Sequence, residues 1–169
     1  DQMARQAGRP TTIDARQVEA LDRWYRGYAE EIHVHHHVED TMLFPLMASR
    51  LPAAYAEHDP TLTADHAALD TIIEGLTAAM NRHDYVAAAP LAAGLRDHLD
   101  QHLSYEDDHL VPLLYEHLTV EDVKTVSRMA WKVASPRQAA FTCPWLLSPL
   151  SPQERAAVVA AVPFKGMNL

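Results

Sequence analysis

His35-His36-His37-Val38-Glu39-Asp40-Thr41-Met42-Leu43-Phe44-Pro45-Leu46 is echoed 67 positions later by His102-Leu103-Ser104-Tyr105-Glu106-Asp107-Asp108-His109-Leu110-Val111-Pro112-Leu113. Under that offset His35 falls on His102, Glu39 on Glu106, Asp40 on Asp107, Leu43 on Leu110, Pro45 on Pro112 and Leu46 on Leu113. Two unrelated amphipathic helices would not share so much register. A His and a Glu four apart lie on one face of a helix, about a turn from each other. Two such helices packed antiparallel can point two imidazoles and two carboxylates into one space, which is how helical bundles build metal sites.

The rest of the composition supports an all-α fold. Leu and Ala dominate, Gly occurs 5 times, and most of the 11 Pro fall at turns. A chain of 169 residues is long enough for one domain with a substantial core. The formal net charge of -9 argues against nucleic acid or an anionic membrane as partner, since both favour a basic surface. No apolar run is long enough to span a bilayer and the opening residues lack a signal-peptide pattern. Cys143 is the single cysteine, so an intrachain disulfide or thiolate cluster is excluded, and a cytoplasmic location is expected. The chain opens at Asp1 and not at Met, which points to further residues upstream.

Residues 1–8 read as the tail of a helix closed by Gly8 and Arg9-Pro10. Asp14 or Thr12 then caps a helix from about Ala15 to about Arg50, with Val18, Leu21, Trp24, Tyr25, Tyr28 and Ile32 towards the core. Pro45 inside it predicts a bend or a tightening of the last two turns. Residues 51–60 read as a loop, and a third element begins at Thr61 or Thr63 and ends near Asn81. A fourth helix starts between Asp84 and Pro90 and continues to about Leu118. Thr119 or Ser127 caps a helix from about Val120 to Ala134, which Ser135-Pro136 breaks, and a short helix follows over Glu154 to Ala161. The apolar group within 141–150 is expected to lie along the outside of the bundle, with self-association as the alternative. The division expected is a metal-binding bundle over residues 1–118 and a helical extension over 119–169.

Beside the central pairs, Glu31, His35 and Glu39 form one ladder of polar residues four apart, and His98, His102 and Glu106 form another. Apolar neighbours flank both: Ile32, Val38, Met42 and Leu43 at the first, Leu95, Leu99, Leu103 and Leu110 at the second. Polar groups turned towards a core need neutralising, and a bound cation does that. The third element adds Asp65, His66 and Asp70. Imidazoles and carboxylates without thiolate suit iron, manganese or zinc, and carboxylates can bridge two ions. The candidate ligands are therefore His35, Glu39, His66, His102 and Glu106. His98, Glu31, His36, Asp70 and Asp107 either bind an ion or hydrogen-bond to a residue that does. His36 and His37 are expected to point about 100° and 200° away from His35 around the helix. His33, His58, His83, His109 and His117 are expected to be structural or exposed, and Tyr25, Tyr28 and Tyr105 to be core or lining residues. The spacing is not the His-Glu-x-x-His of zinc proteases.

These residues resemble the hemerythrin-like, or HHE cation-binding, domain family. His35-His36-x-x-Glu39-Asp40-x-x-Leu43-Phe44-Pro45 is similar to its second-helix signature, Asp65-His66-x-x-Leu69 to its third, and His102-x-x-x-Glu106-Asp107-x-x-Leu110-Val111-Pro112 to its fourth. The resemblance covers roughly residues 15–118. It implies an up-down-up-down four-helix bundle around two non-haem iron ions bridged by carboxylates and an oxo or hydroxo group, iron ranking ahead of manganese or zinc. On that pattern Glu39 and Glu106 are the bridging candidates. The family's first helix should bring another His, yet none precedes His33. That helix is thus expected to be truncated at residues 1–8, missing, or supplied by another subunit. Oxygen carriers of this family place two His four apart on the third helix, where this chain has His66 and Asp70. Asp107 keeps the carriers' spacing from His102, although Glu106 is the better placed carboxylate.

The resemblance implies a diiron centre that binds or reacts with dioxygen or peroxide, as an oxidase or a peroxide-decomposing enzyme drawing on an electron donor. The alternatives are a module that senses oxygen, nitric oxide or iron and redox state without turnover, and a helical interaction protein without metal. A homodimer is compatible with each.

Overall fold

The structure is a computed structural model and describes residues 14–161. The expected tail of a first helix at residues 1–8, and Thr12, lie outside them. Helix α1 (Ala15–Val38) opens with a capping box: the Asp14 carboxylate accepts from Gln17 N at 2.8 Å, and the Gln17 side chain accepts from Asp14 N at 3.0 Å. The helix then passes through a widened turn at Glu39–Leu43 into α2 (Phe44–Arg50). In that turn Phe44 N–H donates to the Glu39 carbonyl five residues back. Pro45 brings no N–H and its ring crowds the carbonyl four residues back. The chain meets this by adding a residue to the preceding turn, so the expected tightening is overturned.

Pro52 and Pro60 both sit in first turns, where a missing N–H leaves no intrahelical bond unmade. Residues 51–60 are accordingly not a plain loop. They hold α3 (Pro52–Ala56), pinned by the buried Tyr55, and the start of α4 (Asp59–Asn81), which begins before the expected Thr61. A tight turn with His83 at φ 53° leads to Asp84, whose carboxylate accepts from Ala87 N at 3.0 Å and caps α5 (Tyr85–Tyr105). Pro90 lies inside α5, and the carbonyl it leaves without a donor belongs to Val86, which is exposed. A second widened turn, Glu106–Leu110, leads into α6 (Val111–His117), with Val111 N–H donating to the Glu106 carbonyl. The sequence echo is thus also an echo of backbone shape, each widened turn ending just before its proline.

Helices α4 and α5 pack along their lengths and α1 lies against α4. The buried positions follow core spacing: 25, 29, 32 and 36 on α1, 62, 66, 69, 73 and 76 on α4, 95, 99 and 102 on α5. Two apolar clusters result. One holds Tyr25, Ile32, Leu69, Ile73, Leu76, Leu95 and Leu99. The other holds Phe44, Met47, Leu51, Tyr55, Leu62 and Leu110. Every chain segment that passes from one cluster to the other carries buried His or Glu at the crossing: His36 and Glu39, His66, His102 and Glu106. Leu21 and Trp24 do not reach the core as expected. Among the described residues they stay 41% and 50% exposed, because they lie off the 25–29–32–36 stripe that faces α4.

The tail is helical throughout most of its length. Thr119 and Asp122 form a capping box at α7 (Val120–Val133), and Arg50 Nη2 donates to Asp122 Oδ1 at 2.8 Å, tying this helix to α2. Ser135-Pro136 ends α7 but also begins α8 (Pro136–Leu147), Ser135 accepting from Gln138 N. A final helix, α9 (Pro152–Ala161), follows. Helices α7 and α8 lie on α1. At that contact Gly27 is required, since a Cβ there would stand 2.5 Å from Phe141 Cδ2. The result is an all-helical bundle of hemerythrin-like type with added C-terminal helices.

Candidate metal centre

On α1, His35 and Glu39 face each other one turn apart, with His35 Nε2 3.2 Å from Glu39 Oε1. Across the bundle His102 Nε2 stands 3.5 Å from Glu106 Oε1. From α4, His66 Nε2 approaches Glu39 Oε2 at 3.5 Å. The imidazole of His36 stacks on that of His66, ring centroids 4.0 Å apart, and meets His102 edge-on at 5.5 Å. The rings of His66 and His102 are 5.0 Å apart. Two overlapping groups of ligand atoms come within 4.8 Å of one another: His36, His66 and His102, and Glu39, His66, His102 and Glu106.

The side chains of both groups are buried, His66 at 5% exposure and His102 at 0%. Among the described residues, both ring nitrogens of His36 and of His102, His66 Nε2, Glu39 Oε2 and Glu106 Oε1 have no hydrogen-bond partner. Each such atom costs on the order of 1–3 kcal/mol if nothing satisfies it. Buried imidazole nitrogens and carboxylate oxygens converging without hydrogen-bond partners among the described residues are what a cation site requires, so the residues fit a metal pair.

Protonation agrees. Burial first, and then the neighbouring imidazoles, push His36 down to about 3. Burial and His66 push His102 down to about 4, Asp65 opposing them. Both are therefore neutral ligands at pH 7. Burial first, then the charge of Glu106, raises Glu39 to about 9, and burial raises Glu106 to about 7. Carboxylates so placed hold protons unless a cation replaces them.

Neighbouring carboxylates orient the imidazoles. His66 Nδ1 donates to Asp40 Oδ1 at 2.9 Å, which leaves Nε2 as the acceptor facing Glu39. Asp65 stands between His102 Nδ1, 3.7 Å away, and His98 Nε2, 3.5 Å away. Phe44 stacks on His66 from the second apolar cluster, centroids 5.6 Å apart.

The expected residues are thus unevenly gathered. Glu39, His66, His102 and Glu106 converge. His35 reaches Glu39 but stays 46% exposed at the rim, its pKa lowered by burial and by His66. His98 joins through Asp65. Glu31 turns instead to α8, where its carboxylate accepts from Gln138 Nε2 and Thr142 Oγ1. Asp70 is exposed and pairs with His33 at 3.4 Å, while Asp107 is exposed. His36, expected either to bind an ion or to hydrogen-bond to a residue that does, lies between its neighbours' rings at the middle of the group. The spacing 25–29–32–36 would have found it, because His36 continues the stripe of Tyr25, Ala29 and Ile32, whereas His35 sits beside that stripe.

Buried imidazoles and carboxylates drawn from three helices, at the crossing of two apolar clusters, define a helical-bundle metal protein with a His/carboxylate set suited to a non-haem diiron centre. The hemerythrin HHE cation binding domain matches residues 1–114, and the chain belongs to that family. No curated protein and no solved structure matches it.

Proposed function

We propose that this protein holds two iron ions on His35, Glu39, His66, His102 and Glu106, with His36 as a further ligand, and binds or reacts with dioxygen or peroxide there. One observation carries this: seven buried nitrogen and oxygen atoms on five side chains converge with no hydrogen-bond partner among the described residues. An iron pair, when bound, supplies Lewis acidity and electrons for dioxygen or peroxide chemistry. The chain's own residues do the rest. Glu39 and Glu106 come together across the bundle and would both hold the pair. Asp40 fixes the tautomer of His66, and Asp65 stands beside Nδ1 of His102. Phe44, Leu69, Leu99 and Leu110 surround the group with apolar surface that excludes bulk water. His35, half in solvent with Nε2 3.2 Å from Glu39 Oε1, would hold the pair from the rim of the centre.

Such close burial also favours a second reading, a sensor of oxygen, nitric oxide or redox state, since it admits only small ligands. No helix among the described residues is long and apolar enough to cross a membrane. The lone, buried Cys143 suits a reducing cytoplasm. Residues 1–118 are assigned to the metal-binding bundle and 119–169 to the extension.

Elemental analysis by inductively coupled plasma mass spectrometry tests the metal first, and about two irons per chain are expected. Optical spectra after adding oxygen to the ferrous protein then separate the two readings. A persistent, reversible band means binding or sensing, and rapid oxidation with consumption of peroxide means turnover. No iron after anaerobic loading with ferrous ion would reject both.

A further inference from the structure

Beside the ligand set, a second group of chemistry-bearing side chains meets where α4 begins and α5 ends. His58 stands at the start of α4, its backbone fixed by His58 N donating to the Tyr55 carbonyl at 2.9 Å and by Leu62 N donating to the His58 carbonyl at 3.1 Å. Its Nδ1 and the hydroxyl of Tyr105, on α5, share a hydrogen bond of 2.8 Å. The ring of His109 lies 4.5 Å from that of Tyr105 and stacks on that of His58 at 5.4 Å. Tyr105 and His58 are half-buried and His109 is exposed, so the three rings run from the bundle to its surface.

The inner end of this group adjoins the candidate metal centre. Tyr105 is bonded directly to Glu106, so the two Cα atoms are about 3.8 Å apart. Its ring packs on the second apolar cluster, from which Phe44 stacks on His66. A phenol gives up an electron readily when a base takes its proton at the same time, and a base acts within about 2.6–3.2 Å. Other tyrosines lack one half of this arrangement. Tyr25 donates to the Ile73 carbonyl and meets the Thr77 hydroxyl, neither of which is a base. Tyr55 donates to the carboxylate of Asp59 at 2.9 Å, and a carboxylate is intrinsically a weaker base than an imidazole. Tyr85 meets His83 Nδ1 at 3.2 Å, but at the opposite end of α5, about 30 Å of helix away from Tyr105.

We propose that Tyr105 and His58 relay single electrons from a reductant at the His109 surface to the metal centre, where hydrogen peroxide is reduced to water. In each step the Tyr105 hydroxyl gives one electron to the oxidised iron pair and its proton to His58 Nδ1, which leaves a neutral tyrosyl radical. The reductant, a one-electron donor such as an aromatic amine or a phenol, returns the electron, and His58 returns the proton. Two such steps, with two protons from solvent, turn one hydrogen peroxide into two waters and oxidise two donor molecules by one electron each. The relay rests on the diiron reading above.

Its premise is checked on metal-free full-length protein. Nitrogen-15 magnetic resonance should find the His58 proton on Nε2, with the Nδ1 signal moved by Tyr105→Phe; a proton on Nδ1 would overturn the relay whatever the metal does. Iron-loaded protein is then mixed with hydrogen peroxide, frozen at short intervals and read by electron paramagnetic resonance, with iron content measured on the same sample. The expected signal is a tyrosyl radical whose splitting collapses on ring deuteration of tyrosine. It should be absent in Tyr105→Phe and retained in Tyr55→Phe and Tyr85→Phe, with iron content at the wild-type value in all three. His58→Ala should lower its yield at least about tenfold, and added imidazole should restore it. N,N,N′,N′-tetramethyl-p-phenylenediamine, a donor that turns blue on losing one electron, should be oxidised at least about tenfold more slowly by Tyr105→Phe than by the wild type. A radical that disappears in Tyr55→Phe instead, or a yield indifferent to His58→Ala, would overturn the assignment. Iron-loaded protein without a signal from Tyr105 would overturn the relay alone, whereas protein that takes up no iron would overturn it together with the diiron reading.

Discussion

Asp40 binds no ion in this scheme, yet it decides how His66 meets one. By accepting from Nδ1 at 2.9 Å it keeps Nε2 unprotonated and aimed at Glu39. Asp40→Ala frees the ring to turn or change tautomer, and the loss of such a partner typically weakens metal affinity about 10- to 100-fold. Competition of the variant against a chelator of known affinity should show that loss with little change in helix content. Glu39→Gln separates charge from shape. It should abolish iron uptake, because the amide neither bridges nor neutralises, but leave the metal-free fold at least as stable at pH 8 by thermal melting. The carboxyl it replaces is protonated there, its pKa being raised to about 9 by burial and by Glu106. At this scale the sequence was legible wherever spacing selects one helical face: His66, His102, Glu39 and Glu106 follow from register alone. His36 is legible only as a possible ligand when angles are counted from His35, which lies beside the buried stripe and not on it. The partners that Glu31 takes, Gln138 and Thr142, are not legible from local spacing, because they stand more than a hundred positions away.

Between residues and bundle stand the two widened turns, Glu39–Leu43 and Glu106–Leu110, each opening on a candidate ligand and closing before a proline. An extra residue in a turn changes the register of whatever follows by about 100°. It lets Glu106 face His102 while Leu110 still points into the second apolar cluster. Deleting the exposed Asp108 should restore the ordinary ladder, keep helix content by circular dichroism, and lower bound iron. Unchanged iron would show that the widened turn is only an accommodation of Pro112. The prolines announced a disturbance in the sequence, but a tightened and a widened turn look alike there, since both answer the same missing N–H. Helix α8 was hidden for a related reason. Ser135-Pro136 reads as a breaker, although Ser at a cap and Pro in a first turn are also how helices begin. Its docking depends on Gly27. In Gly27→Ala the gain in helix propensity, under about 1 kcal/mol, opposes overpacking of about 1–3 kcal/mol. The ring of Phe141 meets the new methyl at Cδ2, Cε2 and Cγ, so it cannot simply swing aside. The variant should melt lower and expose α8 to limited proteolysis.

At the scale of the whole molecule the metal centre sets how stability responds to pH. Glu39 and Glu106, raised to about 9 and about 7 from an ordinary 4.5, hold protons in the folded metal-free chain that the unfolded chain releases. Their stabilising contribution is complete below about pH 4.5 and is lost as pH rises through the folded values. His36 and His102, lowered to about 3 and about 4 from 6.5, act oppositely: the unfolded chain takes up protons that the folded chain refuses, so stability falls as pH drops below 6.5. Between about pH 4.5 and 6.5 the two imidazoles and the two carboxyls offset each other, and the metal-free protein should melt at a nearly constant temperature. Above about pH 6.5 only the carboxyl loss remains, and melting temperature should fall continuously towards pH 9. Iron takes the place of those protons. Loading at pH 7 should therefore release about one to two protons per chain, measurable as a buffer-dependent calorimetric heat, and should flatten the alkaline decline. A metal-free protein whose melting temperature does not move between pH 6.5 and 9 would mean that Glu39 and Glu106 are already ionised and satisfied by the protein, and that their convergence needs no cation.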